Sequence, residues 1–184
     1  MAAPSTIVIA VTGASGALYA ERFLRQAVER CREVHLVISE PGTLVLRDEL
    51  DLAPDQFGAG AANLTRYAPD DLHAPFASGS QAAEAMVIVP CSLGTAGRVA
   101  AGVSDDLITR AADVMLKERR PLVMVPRETP LNLVHLRNLT ALAEAGATIL
   151  PAMPGFYQRP TSIEELIEFV TARIWSVLST SVDR

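Results

Sequence analysis

Five stretches of the chain carry residue types that could do chemistry, and each lies where an apolar run ends or a helical period begins. The first is Thr12-Gly13-Ala14-Ser15-Gly16-Ala17. Glycines at a strand-to-helix turn let a ligand approach the backbone, and the helix that follows offers N–H groups and a positive dipole end to an anion. The spacing is neither the GxGxxG of a dinucleotide fold nor a P-loop, because no lysine follows the second glycine. A phosphate cradle and a tight turn capped by Ser15 both satisfy it. Ser39, closing the second apolar run, falls at the same edge of the expected sheet, where ligands of open α/β sheets collect.

The run VIVPCSLGT places Ser92, Leu93, Gly94 and Thr95 after a central apolar segment. Ser92 and Thr95 suit either a helix cap or hydrogen bonds to a heteroaromatic ring and its phosphate. Cys91 is the obvious suspect for a nucleophile. A thiolate, however, needs a base or a cation beside it, and neither adjoins Cys91 in the sequence, so it reads as a small packing residue. In RAADVMLKERRP, Arg110, Asp113 and Lys117 recur at i, i+3 and i+7 and share one helical face, with Asp113 spaced to pair with Lys117. Alone, that is a solvated face. It gains interest from Pro126-Arg127-Glu128-Thr129-Pro130 after the next apolar run, where two prolines bracket adjacent opposite charges. The last stretch, PAMPGFYQRP at 151–160, has the Pro, Gly and aromatic content of an active-site wall, and Arg173 interrupts an otherwise apolar helical stripe.

The elements that must position these residues alternate between strand-length apolar runs and helical periods. That alternation predicts an α/β fold, three layers around a central, mostly parallel sheet, in a Rossmann-like arrangement. Strands are expected at 6–12, 34–38, 85–89, 122–125 and 148–150, and helices from the GASGA turn to about 30, then at 43–49, 107–119, 131–145 and 163–178. Residues 51–82 break every period and form a candidate binding loop. Gly146 is placed to end a helix, and Ser162 with Glu165 to form a capping box.

A length of 184 residues fits a single domain spanning 1–184. The net charge of −5 gives no footprint for nucleic acid or an anionic membrane, and no apolar run approaches the ~20 residues of a bilayer span. With no basic region ahead of the first apolar run, the expected location is the cytoplasm. Two cysteines sixty positions apart and three scattered histidines provide neither a disulfide framework nor metal-ligand spacing.

Taken together and in order, TGASGA, PCSLGT, RAADVMLKERRPLV, VPRETPLN and PGFYQRP cover almost the whole chain and resemble the flavin prenyltransferases, the UbiX/Pad1 family. The resemblance implies a flavoprotein that moves the dimethylallyl group of dimethylallyl monophosphate onto N5 and C6 of reduced FMN. It implies a reaction without metal, prenylated FMN supplied to a UbiD-type decarboxylase, and a homododecamer. Position by position, it assigns Gly13, Ala14, Ser15, Ser39, Ser92, Leu93, Gly94, Thr95 and Arg127 to FMN. Arg110, Lys117, Tyr157 and Arg173 fall to the prenyl phosphate, several of them from different subunits. Ser15 and Glu49 would manage protons near N5, Lys117 would stabilise the departing phosphate, and Glu128 would protonate it. Some relatives carry a longer aromatic C-terminal tail over the prenyl site, so Trp175 or a neighbouring subunit is expected to serve there. A cysteine decarboxylase of the phosphopantothenoylcysteine type would need Asn where Pro154 stands, and a pure flavin carrier would bind FMN without changing it.

Overall fold

The computed structural model describes residues 3–181. Runs rich in Val and Ile become strands buried on both faces: β1 (Thr6–Val11), β2 (Glu33–Ile38), β4 (Ala85–Cys91) and β5 (Leu122–Pro126). Short edge strands β3 (Leu64–Tyr67) and β6 (Thr148–Ile149) flank them, and the order is β3-β2-β1-β4-β5-β6 with every pairing parallel. Side chains alternate across the sheet. Ile7, Ile9 and Val11 enter one core, while Val8 and Ala10 enter the other.

The first core is closed by α1 (Ala17–Arg30), α2 (Glu40–Leu50) and α6 (Ile163–Ser181), and the second by α3 (Leu93–Ala100), α4 (Leu107–Lys117) and α5 (Leu133–Glu144). The three layers of the sequence reading are present. No helix among the described residues is long and apolar enough to cross a membrane. The crossover direction reverses between β1 and β4, and in such sheets the crevice at the carboxyl ends of those strands receives ligands.

Several elements differ from the sequence reading for local reasons. Helix α2 starts three residues earlier than expected, because Ser39 caps it and Pro41 fits the first turn, where a missing N–H costs nothing. The segment 51–82 contains β3 and two short 3-10 turns (Pro75–Ala77 and Gly79–Gln81), too brief to leave a period. Helix α3 was hidden in LGTAGRVA, whose small residues read as turn. Gly146 ends α5 as expected: its φ is 103°, its amide reaches Ala143 O, and the Ala147 amide reaches Leu142 O. The capping box at α6 is shifted. Ser162 Oγ accepts from the Glu165 amide, but the Glu165 carboxylate accepts from Thr161 N–H at 2.7 Å.

Trp175 takes no part in covering a prenyl site. It lies in the first core, stacks on Phe23 at 4.8 Å between centroids, and donates from Nε1 to Gln26 Oε1 at 2.8 Å.

On the other face, β2 buries His35 between Tyr67 and Phe76, with Nδ1 3.2 Å from the Tyr67 hydroxyl. Burial lowers its pKa below 6.5, and nearby Glu33 only partly opposes this, so the folded state holds the neutral ring. In the unfolded chain the ring takes a proton near 6.5. Stability is therefore fully present above that pH, falls as pH drops toward the folded value, and levels off below it. Urea unfolding of the wild type and His35→Gln between pH 7.5 and about 5 should show a shallower pH slope in the variant; equal slopes would remove His35 as the cause.

Candidate active site

Three helices begin around one space. Ser39 caps α2, its Oγ accepting from the Gly42 amide at 3.1 Å, and Ser92 caps α3, its Oγ accepting from the Thr95 amide at 3.2 Å. Asp106 caps α4, its Oδ1 accepting from the Thr109 amide at 2.8 Å. With Gly13 after β1 and Pro69 and Asp70 after β3, the first residues of these helices line a cavity of about 740 Å³. It lies at the switch point of the sheet.

The lining chemistry suits a phosphate ester. Oriented amides and the positive ends of helix dipoles meet there, and Ser39, Ser92 and Thr95 add hydroxyls. A Cβ added to Gly94 would meet no atom within 4 Å, so the backbone is open to a ligand at that point. Gly13 is needed for a different reason: a Cβ there would run into Pro41. Arg98 is the one cation among the lining residues, and its Nη1 is held by Asp105 at 2.8 Å and Asp106 at 2.7 Å. Burial raises the pKa of Asp106, but the Thr109 amide and Arg98 outweigh that and leave it below the ordinary carboxylate value. With Arg98 committed and Glu40 and Asp70 adding negative charge, neutral donors carry any phosphate recognition here.

A second cluster forms at the start of α1. The Glu49 carboxylate accepts from the Gly16 amide at 2.9 Å and the Ala17 amide at 2.7 Å. Burial pushes its pKa up, yet hydrogen bonds from Ser15, Gly16 and Ala17 and the charge of Arg127 bring it below the usual range. Arg127 Nε donates to Ser15 O at 3.0 Å, which ties the loop after β5 to the turn after β1. The helix start that the sequence offered to a phosphate is thus filled by the chain's own carboxylate. The helix starts left to an anion are those of α2 and α3, whose caps Ser39 and Ser92 are neutral hydroxyls, whereas α4 carries the Asp106 carboxylate.

Cys91 is fully buried, its thiol pushed up to about 12 by that burial, and its Sγ lies 3.6 Å from Ser92 O. It is not a nucleophile. Ala14 and Leu93 also bury their side chains, so any contact they make with a ligand is through backbone. Glu128 is exposed beside Arg127, its Oε1 accepting from the Thr129 amide at 3.1 Å.

The remaining candidates stand apart from this cavity. Arg110 pairs with Asp113 at 2.9 Å and donates to Ala77 O at 2.9 Å, while Lys117 pairs with Glu118. The expected Asp113–Lys117 pair does not form, because Asp113 is taken by Arg110. At 1.5 Å per residue, α4 carries Lys117 roughly 16 Å beyond Asp106. Tyr157 and Arg173 line another cavity, of about 470 Å³, between the 155–161 loop and α6. Pro69, Asp70, Arg98 and Asp106 are lining residues that sequence reasoning missed. The first two sat in the aperiodic segment, and the Arg98–Asp106 pair spans the loop between two helices, one of which was unread.

The profile of the family described as Flavoprotein matches residues 1–175. The flavin prenyltransferase UbiX of Pseudomonas aeruginosa is 48% identical over 100% of this chain and 93% of its own length. A crystal structure of AnUbiX (PadA1) in complex with FMN and dimethylallyl pyrophosphate superposes with a TM-score of 0.91 at 40% identity, covering 98% of this chain and 95% of that one. The dodecameric FMN-dependent Ubix-like decarboxylase from Escherichia coli O157:H7 does so with a TM-score of 0.90 at 35% identity, covering 97% of each.

Proposed function

The chain belongs to the Flavoprotein family, as one of its flavin prenyltransferases, and from that premise we propose how its residues divide the work. The whole chain serves as one flavoprotein domain. The observation that carries the reading is the convergence of three capped helix starts, hydroxyls and the open face of Gly94 on one cavity at the sheet's switch point. Ser39, Ser92, Gly94 and Thr95 hold the phosphate and ribityl chain of FMN, Gly13 and the backbone of Ala14 and Leu93 shape the wall, and Arg127 fixes the turn that carries Ser15. Reduced FMN, when bound, supplies the nucleophilic N5 and the C6 position that accept the dimethylallyl group of dimethylallyl monophosphate.

Ser15 and Glu49 hold and move protons near N5, a role suited to a carboxylate already wired to a hydroxyl and two amides. Breaking the allylic C–O bond leaves negative charge on phosphate. Lys117, Arg110 and Arg173 lie ready to neutralise it without a metal, Tyr157 holds the ester, and Glu128 returns a proton to the leaving group. Because these groups lie apart from the FMN cavity in one chain, they act on a neighbour's flavin. The assembly is a homododecamer, as in the Escherichia coli relative. Exposed Leu133, Val134, Leu136, Met153 and Phe156 supply apolar contact area for it. The prenylated flavin passes to a UbiD-type decarboxylase. Two free, buried thiols fit a cytoplasmic setting.

The test is anaerobic incubation with reduced FMN and dimethylallyl monophosphate, oxidation, and mass measurement of the extracted flavin, with and without EDTA. One added dimethylallyl unit in both arms is expected. Unmodified FMN would make the protein a carrier, and loss of product only with EDTA would overturn the metal-free assignment.

A further inference from the structure

Three rings meet pairwise beneath the segment that follows β3. His35 lies 5.6 Å from Tyr67 and 5.1 Å from Phe76 between ring centroids, and Tyr67 meets Phe76 edge-on at 5.0 Å. Tyr67 ends β3 and Phe76 sits in the Pro75–Ala77 turn, so one buried imidazole of β2 clamps both ends of the loop between them. That loop reaches two functional places. Pro69 and Asp70 line the cavity at the switch point, and the carbonyl of Ala77, next to Phe76, accepts from Arg110 Nε at 2.9 Å. In between, the chain makes local turns, with the Asp71 amide on Ala68 O at 3.1 Å and the Ala77 amide on Ala74 O at 3.0 Å. Its backbone tie to α4 is the Leu107 amide on Pro69 O at 2.7 Å.

We propose that His35 is a positioning residue for the reaction: while neutral it clamps the 67–76 loop, holding the Pro69–Asp70 wall and the anchor of Arg110 in place, and its protonation releases both. The proposal rests on the reading of the cavity as the FMN site. With its proton on Nε2, the ring offers Nδ1 to the Tyr67 hydroxyl, 3.2 Å away. A second proton on Nδ1 removes that acceptor and leaves a charge buried among the rings. The groups around the imidazole do little to keep such a charge. Val8 of β1 and Phe76 are apolar, Thr65 and Tyr67 of β3 are uncharged, and Glu33 of β2, with Oε1 3.8 Å from Nε2, is 47% exposed. Asp71 acts on Tyr67. Opening the clamp lets the imidazolium reach water. The closed form is therefore fully favoured above 6.5, the ring's ordinary value, and loses ground as pH falls toward the lower value that burial imposes. A ligand that needs the closed form then binds more weakly in proportion to the fraction lost.

FMN titrations between about pH 7.5 and about pH 5 read the clamp, with His35→Gln as the reference, because glutamine can still accept from Tyr67 and does not titrate. The FMN phosphate itself takes up a proton at about pH 6, but it does so with both proteins and cancels in the comparison. The rise in Kd for FMN over that range should be about threefold larger in the wild type. Hydrogen exchange should show protection falling in residues 67–77 of the acidified wild type, with β1 and β4 unchanged, and no such fall in the variant. Tyr67→Phe keeps the ring and removes the hydroxyl, so it tests the clamp whether or not His35→Gln folds. It should weaken FMN severalfold already at about pH 7.5 and raise KM for dimethylallyl monophosphate. Equal pH ratios in wild type and His35→Gln, protection falling evenly through the chain, or wild-type FMN affinity in Tyr67→Phe would each overturn the proposal. Acid loosening of 67–77 in the wild type alone, with no FMN bound at any pH, would keep the clamp and remove the flavin from this cavity.

Discussion

Gly94→Val is expected to raise the Kd for FMN by about a hundredfold or more while leaving the melting temperature within a degree or two of wild type. Gly94 sits in the first turn of α3, and nothing lies within 4 Å of a Cβ built there, so the apo fold has room for the isopropyl group. Valine in a helix costs less than about 1 kcal/mol relative to other residues, and replacing glycine offsets some of that. The same space is the open face of the cavity proposed to hold FMN. Filling it blocks the close backbone approach that the capped starts of α2 and α3 require, and a loss near 3 kcal/mol is a factor of about a hundred in affinity. Cys91→Ala provides the contrast. Its side chain is buried behind Ser92, so removing the sulfur costs roughly 1 kcal/mol of stability and leaves the cavity wall intact. Flavin absorbance titration and thermal melts of both variants decide the matter. Wild-type FMN affinity in Gly94→Val would mean that the flavin binds elsewhere.

Much of this was legible in the chain. The GASGA turn, Ser39 and Ser92 to Thr95 all follow strands, and a parallel sheet with one switch point brings the ends of those strands together. What stayed hidden depends on long-range geometry. Glu49 lies 33 residues from Gly16, and nothing local says that its carboxylate fills the start of α1. Strand β3 escaped because an edge strand of four residues has no room for a period, and α3 because its glycines and alanines leave little apolar contrast. Trp175 looked available for a substrate wall, yet its indole N–H finds Gln26 from a helix 149 residues away in sequence. The pairing of Asp113 was misjudged for a related reason. Helical spacing allows both i−3 and i+4 partners, and Ala77 O, from outside the helix, holds Arg110 where it competes successfully.

Lys117→Ala should lower kcat/KM for dimethylallyl monophosphate by about 10² to 10³, with FMN affinity unchanged. The chemistry sets the size. As the C–O bond breaks, charge accumulates on the phosphate, and an oriented cation at that point contributes roughly 2.7 to 4 kcal/mol, which is the stated range in rate. Folding should not confound the measurement, because Lys117 ends α4 in an exposed ion pair, which contributes little to stability. Truncation also leaves the Glu118 carboxylate unpaired beside the phosphate, and its repulsion adds to the loss. The double variant Lys117→Ala with Glu118→Gln should therefore recover part of the rate, which a purely structural role for Lys117 would not produce. Lys117→Arg tests geometry: a planar fork in place of a compact ammonium keeps the charge but presses against Gly79, so intermediate rates are expected. A fall in kcat and in kcat/KM together would place the Lys117 contact in the transition state. A rise in KM alone would mean that Lys117 binds the ester and the transition state equally, and an unchanged kcat/KM would remove it from the site.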